Sequence, residues 1–448
     1  MNEKSFHFDY LPNVIFQTVE RIFFSRKLIY PILFIIGFIS GLKLSISVIF
    51  CLFTLLFSLF CTLIKRYSDS ISLIIISLYL IVNYEIVNTP SFVRYFIYFS
   101  AVLMLLINNR LIFNKKNLFL FLSLFFTVLV ASFASSFQSY IEFKAQPFIR
   151  DLVVMFLLFI FCLLPKINKI NFSFLFILLT GVLAGEILYV FTNEYSVYFN
   201  YSSVKALILF VPYYLFLKEK KFLALFALLL CFIPISNYGT RMILLSLIFF
   251  SILGLLIFLF RRGTTRSVIV GIASVIFSIF AIQFLLSYEY LQGLKAIAFL
   301  TEFYDLQNTT IFEVFKILDP VRYAEHQIFF SRSLLEILFG NGLGAGIVDT
   351  NGYLGFVNYF QSAFSQEEIN SNTYFNLHDY WIDYGLRFGL IPVLLILFYV
   401  AISPMLLGNT YTGIFNGVML VCITYSGSGM LILALLLKYS GNKKIIAN

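Results

Sequence analysis

Charge is scarce in this chain. Only 12% of its 448 residues are Asp, Glu, Lys or Arg, against roughly 25% in ordinary soluble domains. That shortage excludes a conventional soluble protein. Histidine and tryptophan are rarer still, at three and one. Cysteine is sparse as well. The five cysteines, Cys51, Cys61, Cys162, Cys231 and Cys422, lie in or at the end of apolar runs, without metal-ligand spacing. Neither a disulfide framework nor a zinc site is expected. Residues 1–27, MNEKSFHFDYLPNVIFQTVERIFFSRK, are too polar for a cleavable signal peptide and lack a short apolar core before a small-residue cleavage site. They read as a cytoplasmic N-terminal segment. No internal repeat and no low-complexity tract is found beyond the apolar bias.

What the chain does have is apolar length. It is 60% hydrophobic, with 57 phenylalanines. Stretches near 28–42, 44–63, 71–87, 92–108, 117–136, 151–164, 172–192, 204–217, 221–235, 242–260, 267–286, 389–403, 411–425 and 427–438 read as transmembrane helices, fourteen in all. Several are shorter than the usual ~20 residues. Arg26 and Lys27, Lys65 and Arg66, Arg110 with Lys115 and Lys116, Lys166 and Lys169, Lys218 to Lys221, Arg261 to Arg266, and Lys443 with Lys444 all fall on one side when each span is counted once. By the positive-inside rule that side is the cytoplasm. The net charge of +9 is thus spread over short cytoplasmic loops, a topology signal and not a nucleic-acid patch. The connection at 404–410 carries no charge and leaves the end of the topology less constrained.

This reading divides the chain into a cytoplasmic segment (1–27), helices one to eleven (28–286), a large extracytoplasmic loop (287–388), and C-terminal helices with a cytoplasmic tail (389–448). The fold class expected is an all-α integral membrane protein with about 14 transmembrane helices and one large outer loop subdomain. Up to residue 379 that loop holds 11 of the chain's 22 acidic residues, from Glu289 to Asp379. A loop of such length is usually functional.

Topology rarely calls for arginine on the outer face, so the exceptions carry information. They are Arg150 in KAQPFIRD, Arg241 in SNYGTRMILL, Arg322 and Arg332 in DPVRYAEHQIFFSRSLLEILFG, and Arg387 in NLHDYWIDYGLRFGLIP. The planar guanidinium suits bidentate contact with phosphate. Several such groups near a membrane surface would suit a lipid diphosphate. The competing readings are snorkelling and pairing with loop carboxylates. His378 stands where the loop returns to an apolar run. A neutral imidazole there can take a proton from an attacking hydroxyl, with Asp379 or another carboxylate orienting the ring. The alternative is a surface histidine that caps the next helix. His326, four residues after Arg322 on one helix face, is the competing histidine. Tyr380, Trp381 and Tyr384 read as interfacial aromatic anchors. LFGNGLGAGI (338–347) lacks the Lys-Ser/Thr ending of a P-loop. Its glycines read as turn and close-packing positions.

Three pieces occur in order: S-x-x-x-x-R from Ser236 to Arg241, an arginine-bearing helix from Arg322 leading into FGNGLG, and His378 with Tyr380 followed by Gly385-x-x-x-Gly389. Together they resemble the O-antigen polymerase and O-antigen ligase superfamily, in particular the Wzy-type polysaccharide polymerases. The resemblance covers roughly residues 230 to 405. The chain departs from the family pattern at Asp379, where a small residue or asparagine is frequent, and at Thr240, where serine is. The resemblance implies a GT-C-type membrane glycosyltransferase using undecaprenyl-diphosphate-linked oligosaccharides on the outer face of a bacterial inner membrane. It implies His378 as general base and Arg241 and Arg322 on the donor diphosphate. Arg150, Arg332, Arg387, Asp379 and Tyr380 complete the implied substrate-binding set. It implies no cofactor and no metal, since arginines neutralise the leaving group, and it admits a chain-length regulator as partner. The alternatives are an O-antigen ligase transferring glycan to lipid A–core, and a flippase or transporter for lipid-linked oligosaccharide. Against a transporter, the singled-out charges sit at the outer surface and no repeat is visible.

Overall fold

Apolar runs broken by short polar turns become helices here. The computed structural model describes residues 26–42, 47–84, 141–143, 171–192, 203–237, 241–262, 320–355, 366–375, 377 and 380–423, with isolated positions between 96 and 148 and at 316 and 364. The expected spans at 92–108, 117–136, 151–164, 267–286 and 427–438 lie wholly or largely outside the described residues, as does most of the N-terminal segment.

The described chain is mostly helical. The first three helices are α1 (Arg26–Gly41), α2 (Ser47–Leu63) and α3 (Tyr67–Tyr84). After strand β1 (Ile141–Phe143) comes α4 (Phe172–Thr192), then α5 (Phe210–Leu217), α6 (Lys221–Asn237) and α7 (Arg241–Arg262). Among the described residues α4, at 21 residues, is the helix long and apolar enough to cross a membrane; the other apolar stretches, such as Tyr67–Leu80 and Ser246–Leu259, run 10–17 residues.

Helices α1 and α4 pack closely because four glycines allow it. Gly37 and Gly41 face Gly181 and Gly185, and a Cβ at any of them would strike backbone of the opposite helix. Small residues spaced by four let helix backbones approach in this way. The pair is parallel: Tyr30 meets Phe174 at one end, ring centroids 6.2 Å apart, and Gly41 meets Gly185 at the other. Helices α2 and α3 form an antiparallel hairpin through a turn in which Lys65 adopts φ 61°. Their buried hydroxyls satisfy one another: Ser58 and Thr62 lie 2.9 and 2.8 Å from the Ser70 hydroxyl. Asp69 accepts hydrogen bonds from Arg66 (2.6 Å) and from the Asn171 amide (2.8 Å), which ties the start of α3 to the start of α4.

The expected span at 204–217 differs in detail. Residues Ser203–Leu209 form a 3₁₀ helix before α5 begins. Pro212 has no N–H for the Ile208 carbonyl, and the Cys231 thiol of α6 approaches that oxygen at 3.7 Å. Helix α7 runs antiparallel to the last described helix, α14 (Thr410–Ile423): Ser246 lies 3.4 Å from Cys422 at one end, and Gly408 abuts the Arg261 guanidinium at the other.

Between α7 and α14 lie α8 (Pro320–Phe330), α9 (Leu334–Phe339), β2 (Ala345–Val348), α10 (Gln366–Ser371), β3 (Thr373–Tyr374), α11 (Tyr380–Phe388), α12 (Leu390–Leu397) and α13 (Ser403–Leu406). Helices α12 and α13 join through a π turn at Phe398–Ile402, so the expected span at 389–403 is one continuous helical run. The sheet is a feature that the all-α expectation lacked. Its order is β1-β2-β3, antiparallel throughout, with Ile141 opposite Ile347 and Ile347 opposite Tyr374. Two hydrophobic clusters follow the division of the chain. The larger joins α1 to α7 with α14; a second, with Ala324, Ile328, Phe329, Ile347, Leu354, Tyr374, Leu377, Ile382 and Leu386, holds residues 320–388 together.

Candidate functional site

Helix α8 opens on Pro320, which suits a first helical position because no N–H is needed there. It buries Ala324, Glu325, Ile328 and Phe329. Arg322, His326 and Phe330 follow at four-residue spacing on the other face, Arg322 and His326 half-buried and Phe330 exposed. The His326 Nδ1 lies 2.7 Å from the Arg322 carbonyl. A carbonyl only accepts, so the neutral ring carries its proton on Nδ1 and keeps its lone pair on Nε2. Helix α9 is started by a capping box. The Ser333 side chain accepts from the Glu336 N–H, and the Glu336 carboxylate accepts from the Ser333 N–H at 2.9 Å. Arg332 donates to the Val348 carbonyl at 3.2 Å and so braces α9 against β2.

The glycine-rich turn after α9 does what close packing requires. The N–H groups of Asn341 and Gly342 donate to the Leu386 and Arg387 carbonyls, at 2.6 and 2.9 Å. Those donors are spent on the end of α11 and do not form a phosphate cradle. Gly340 (φ 76°) and Gly389 (φ 89°) meet across this crossing, where a Cβ on either would enter backbone of the other segment. Gly346 faces the Phe375 ring with no room for a side chain.

Strand β3 and α11 bracket position 378. Arg387 and Asp383, four residues apart on α11, form an ion pair of 2.6 Å with side chains only 6% and 10% exposed. The same Arg387 Nη2 donates to the Phe375 carbonyl. Asp383 accepts from the Leu377 N–H at 3.2 Å. The pair therefore holds the backbone on both sides of residue 376, one step before His378. Glu368 of α10 adds a hold on the Phe375 N–H at 2.8 Å. Asp349 accepts from the Leu354 N–H at 2.7 Å and closes the turn beyond β2. Burial raises the pKa of the Tyr374 phenol, and the nearby Asp349 and Glu368 carboxylates raise it further.

The residues singled out from the sequence fare differently. Arg322 and His326 share a face of α8, and α8 packs on α11 through Phe329, which lies against Gly385. Arg332 is turned in part to β2. Arg387, expected among the substrate-binding residues, is buried, and its Nη2 is engaged by the Asp383 carboxylate and the Phe375 carbonyl. Arg241 is the first residue of α7 and Tyr380 the first of α11. Arg150, His378 and Asp379 lie outside the described residues. Asp383, Glu368 and strand β1 were not singled out beforehand. The i, i+4 spacing of Asp383 and Arg387 was the signal for the first; the other two depend on contacts distant in sequence. Among the described residues no three of His, Cys, Asp and Glu come together as a metal site.

No family model, no curated protein and no solved structure matches this chain.

Proposed function

We propose that the chain is a Wzy-type polysaccharide polymerase, an integral membrane glycosyltransferase that joins undecaprenyl-diphosphate-linked repeat units on the periplasmic face of the inner membrane. In this reading about 14 helices of a GT-C-like fold cross the membrane and residues 287–388 form the outer subdomain. The pattern of contacts supports that topology. Residues 141–143 pair with 345–348, and both segments belong to the outer side by the charge count. Asp69 bonds Asn171, and Arg261 abuts Gly408; all four belong to the cytoplasmic side. Helices α1 and α4, both crossing outward by the count, are parallel. In this reading the uncharged connection at 404–410 belongs with the cytoplasmic loops. Large apolar side chains such as Ile35, Leu56, Phe222, Phe249 and Leu395 are exposed on the helix faces, as lipid-facing side chains are.

The observation that carries the catalytic reading is the Asp383–Arg387 clamp. It pins the backbone immediately before His378 to α11, and α11 packs on the helix that bears Arg322. His378 is the general base in this scheme. It takes the proton of the acceptor hydroxyl as that oxygen bonds to the anomeric carbon of the donor. The anomeric carbon–oxygen bond to the lipid diphosphate breaks, and the diphosphate leaves with the electron pair. Arg241 and Arg322 stabilise the charge that develops on it. Arg150, Arg332, Asp379 and Tyr380 serve substrate binding, and a chain-length regulator is the protein partner.

The test is complementation of a strain lacking this protein with His378→Ala, Arg241→Ala and Arg322→Ala, at matched membrane levels, read as the ladder of surface polysaccharide. Single-repeat product from each variant is expected. A full ladder from His378→Ala refutes its role as base. A strain lacking the protein that still makes full-length polymer on undecaprenyl diphosphate identifies a ligase instead.

A further inference from the structure

Helices α8 and α9 end in an unusual edge. Phe330, Leu334, Leu335 and Phe339 are 69, 70, 69 and 42% exposed. These are large apolar groups in what the charge count makes an aqueous loop. Soluble surfaces rarely gather such side chains into one patch without a partner. The two carboxylates of this stretch, Glu325 and Glu336, are both buried. No carboxylate of residues 320–339 therefore faces outward: beside the four apolar groups stand the exposed Ser331 and Ser333 and the half-buried Arg322, His326 and Arg332.

The edge also continues a second apolar face. Gly389, the residue before α12, sits so close to α9 that a Cβ on it would enter the backbone of Leu338 and Phe339. From there α12 presents Ile391, Leu394 and Leu395, all exposed. In the topology proposed above, α12 enters the bilayer at this point. The end of α9 thus abuts the start of α12, and both helices expose large apolar side chains next to that junction.

We infer that the edge formed by Phe330, Leu334, Leu335 and Phe339 is seated in the outer leaflet of the membrane, among lipid acyl chains, with Arg322 and Arg332 at the level of the phosphates. The inference rests on the membrane topology above and departs from it in one respect: part of the outer loop is interfacial, not aqueous. Amphipathic segments with a basic polar side take such a position. The seat sets the height of the site. It holds the glycine-rich turn, the Asp383–Arg387 clamp and the approach to His378 at the depth of a lipid diphosphate.

The chain's single tryptophan makes the test direct. Trp381→Phe supplies a silent background for Leu335→Trp, with Leu334→Trp as a second site; both positions are exposed, so the new ring meets no core. Leu395→Trp on α12 is the reference. Each full-length variant is placed in nanodiscs of phosphatidylcholine, plain or brominated near the carbonyl end of the acyl chains. The expected result is that emission from the Leu335→Trp variant is blue-shifted, largely lost in brominated lipid and insensitive to iodide. Quenching by iodide without quenching by brominated lipid overturns the inference. Protection from both quenchers overturns it as well, because protein then covers the edge. If the α12 reference is itself not quenched by brominated lipid, the membrane topology fails and the inference falls with it.

Discussion

Removing Arg387 tests the clamp most directly. The side chain lies at 6% exposure against an aspartate at 10%, and its Nη2 serves both that carboxylate and the Phe375 carbonyl. Arg387→Ala leaves the Asp383 charge buried without its guanidinium and the carbonyl without this donor. Breaking a buried ion pair from one side costs about 3–5 kcal/mol. Whole domains are stable by only about 5–15 kcal/mol, so the loss is felt first as local opening of residues 375–380. Asp383→Ala removes the acceptor of the Leu377 N–H at 3.2 Å and strands the arginine, at a similar cost. The double variant strands neither charge and should cost less than the two single losses combined, by about 2 kcal/mol or more. The assay is amide hydrogen exchange on peptides spanning 373–380, in protein reconstituted in nanodiscs. Protection at Leu377 should fall by about two orders of magnitude or more in either single variant, since each 1.4 kcal/mol is a factor of ten. Polymer ladders should shorten in parallel, while binding of a donor analogue is retained. Unchanged protection in Arg387→Ala, or single losses that simply add, would refute the clamp and return Arg387 to the substrate-binding set.

Two further predictions concern the same subdomain. Gly340→Ala combines a positive φ of 76° with a Cβ 2.5 Å from the Arg387 carbonyl oxygen, whereas Gly352→Ala has φ 69° but nothing within 4 Å. The second should cost about 1–2 kcal/mol from backbone strain alone, and the first should abolish accumulation of folded protein; equal membrane levels and melting temperatures would count against the crossing described. Tyr374, whose pKa burial and the Asp349 and Glu368 carboxylates raise, contributes stability that is fully present below the ordinary pKa of 10.0 and lost as pH rises through its folded-state value. Tyr374→Phe should therefore flatten the alkaline limb of the stability curve and leave neutral pH almost unchanged in this respect; a limb of the same slope would exclude that tyrosine as its source.

How much of this was legible beforehand depends on the range of the interactions. The helix Phe172–Thr192 could be read to the residue, because a long, largely apolar run after Asn171, with Glu186 as its one charged residue, specifies a helix through local bonds and one solvent preference. The crowding of glycines in FGNGLG was also legible, as positions where only a missing Cβ fits. The π turn at 398–402 and the 3₁₀ start at 203–209 were not, since each depends on what packs beside it; the Cys231 thiol that meets the Ile208 carbonyl comes from another helix.

The site divides along the same line. Composition and spacing alone singled out arginines 322, 332 and 387, since they stand apart from the basic clusters that the charge count assigns to cytoplasmic loops. Only the tertiary structure decided what surrounds each one. Arg322 stays on the half-open face of α8, while Arg387 is consumed by Asp383 and the Phe375 carbonyl. The reason is physical: a guanidinium is committed by the acceptors that surround it. The second acceptor, the Phe375 carbonyl, was set by the return of β3 beside α11, and β3 is placed in turn by the sheet in which β1 pairs with β2 across some two hundred residues of chain. A local pattern carries no record of either contact.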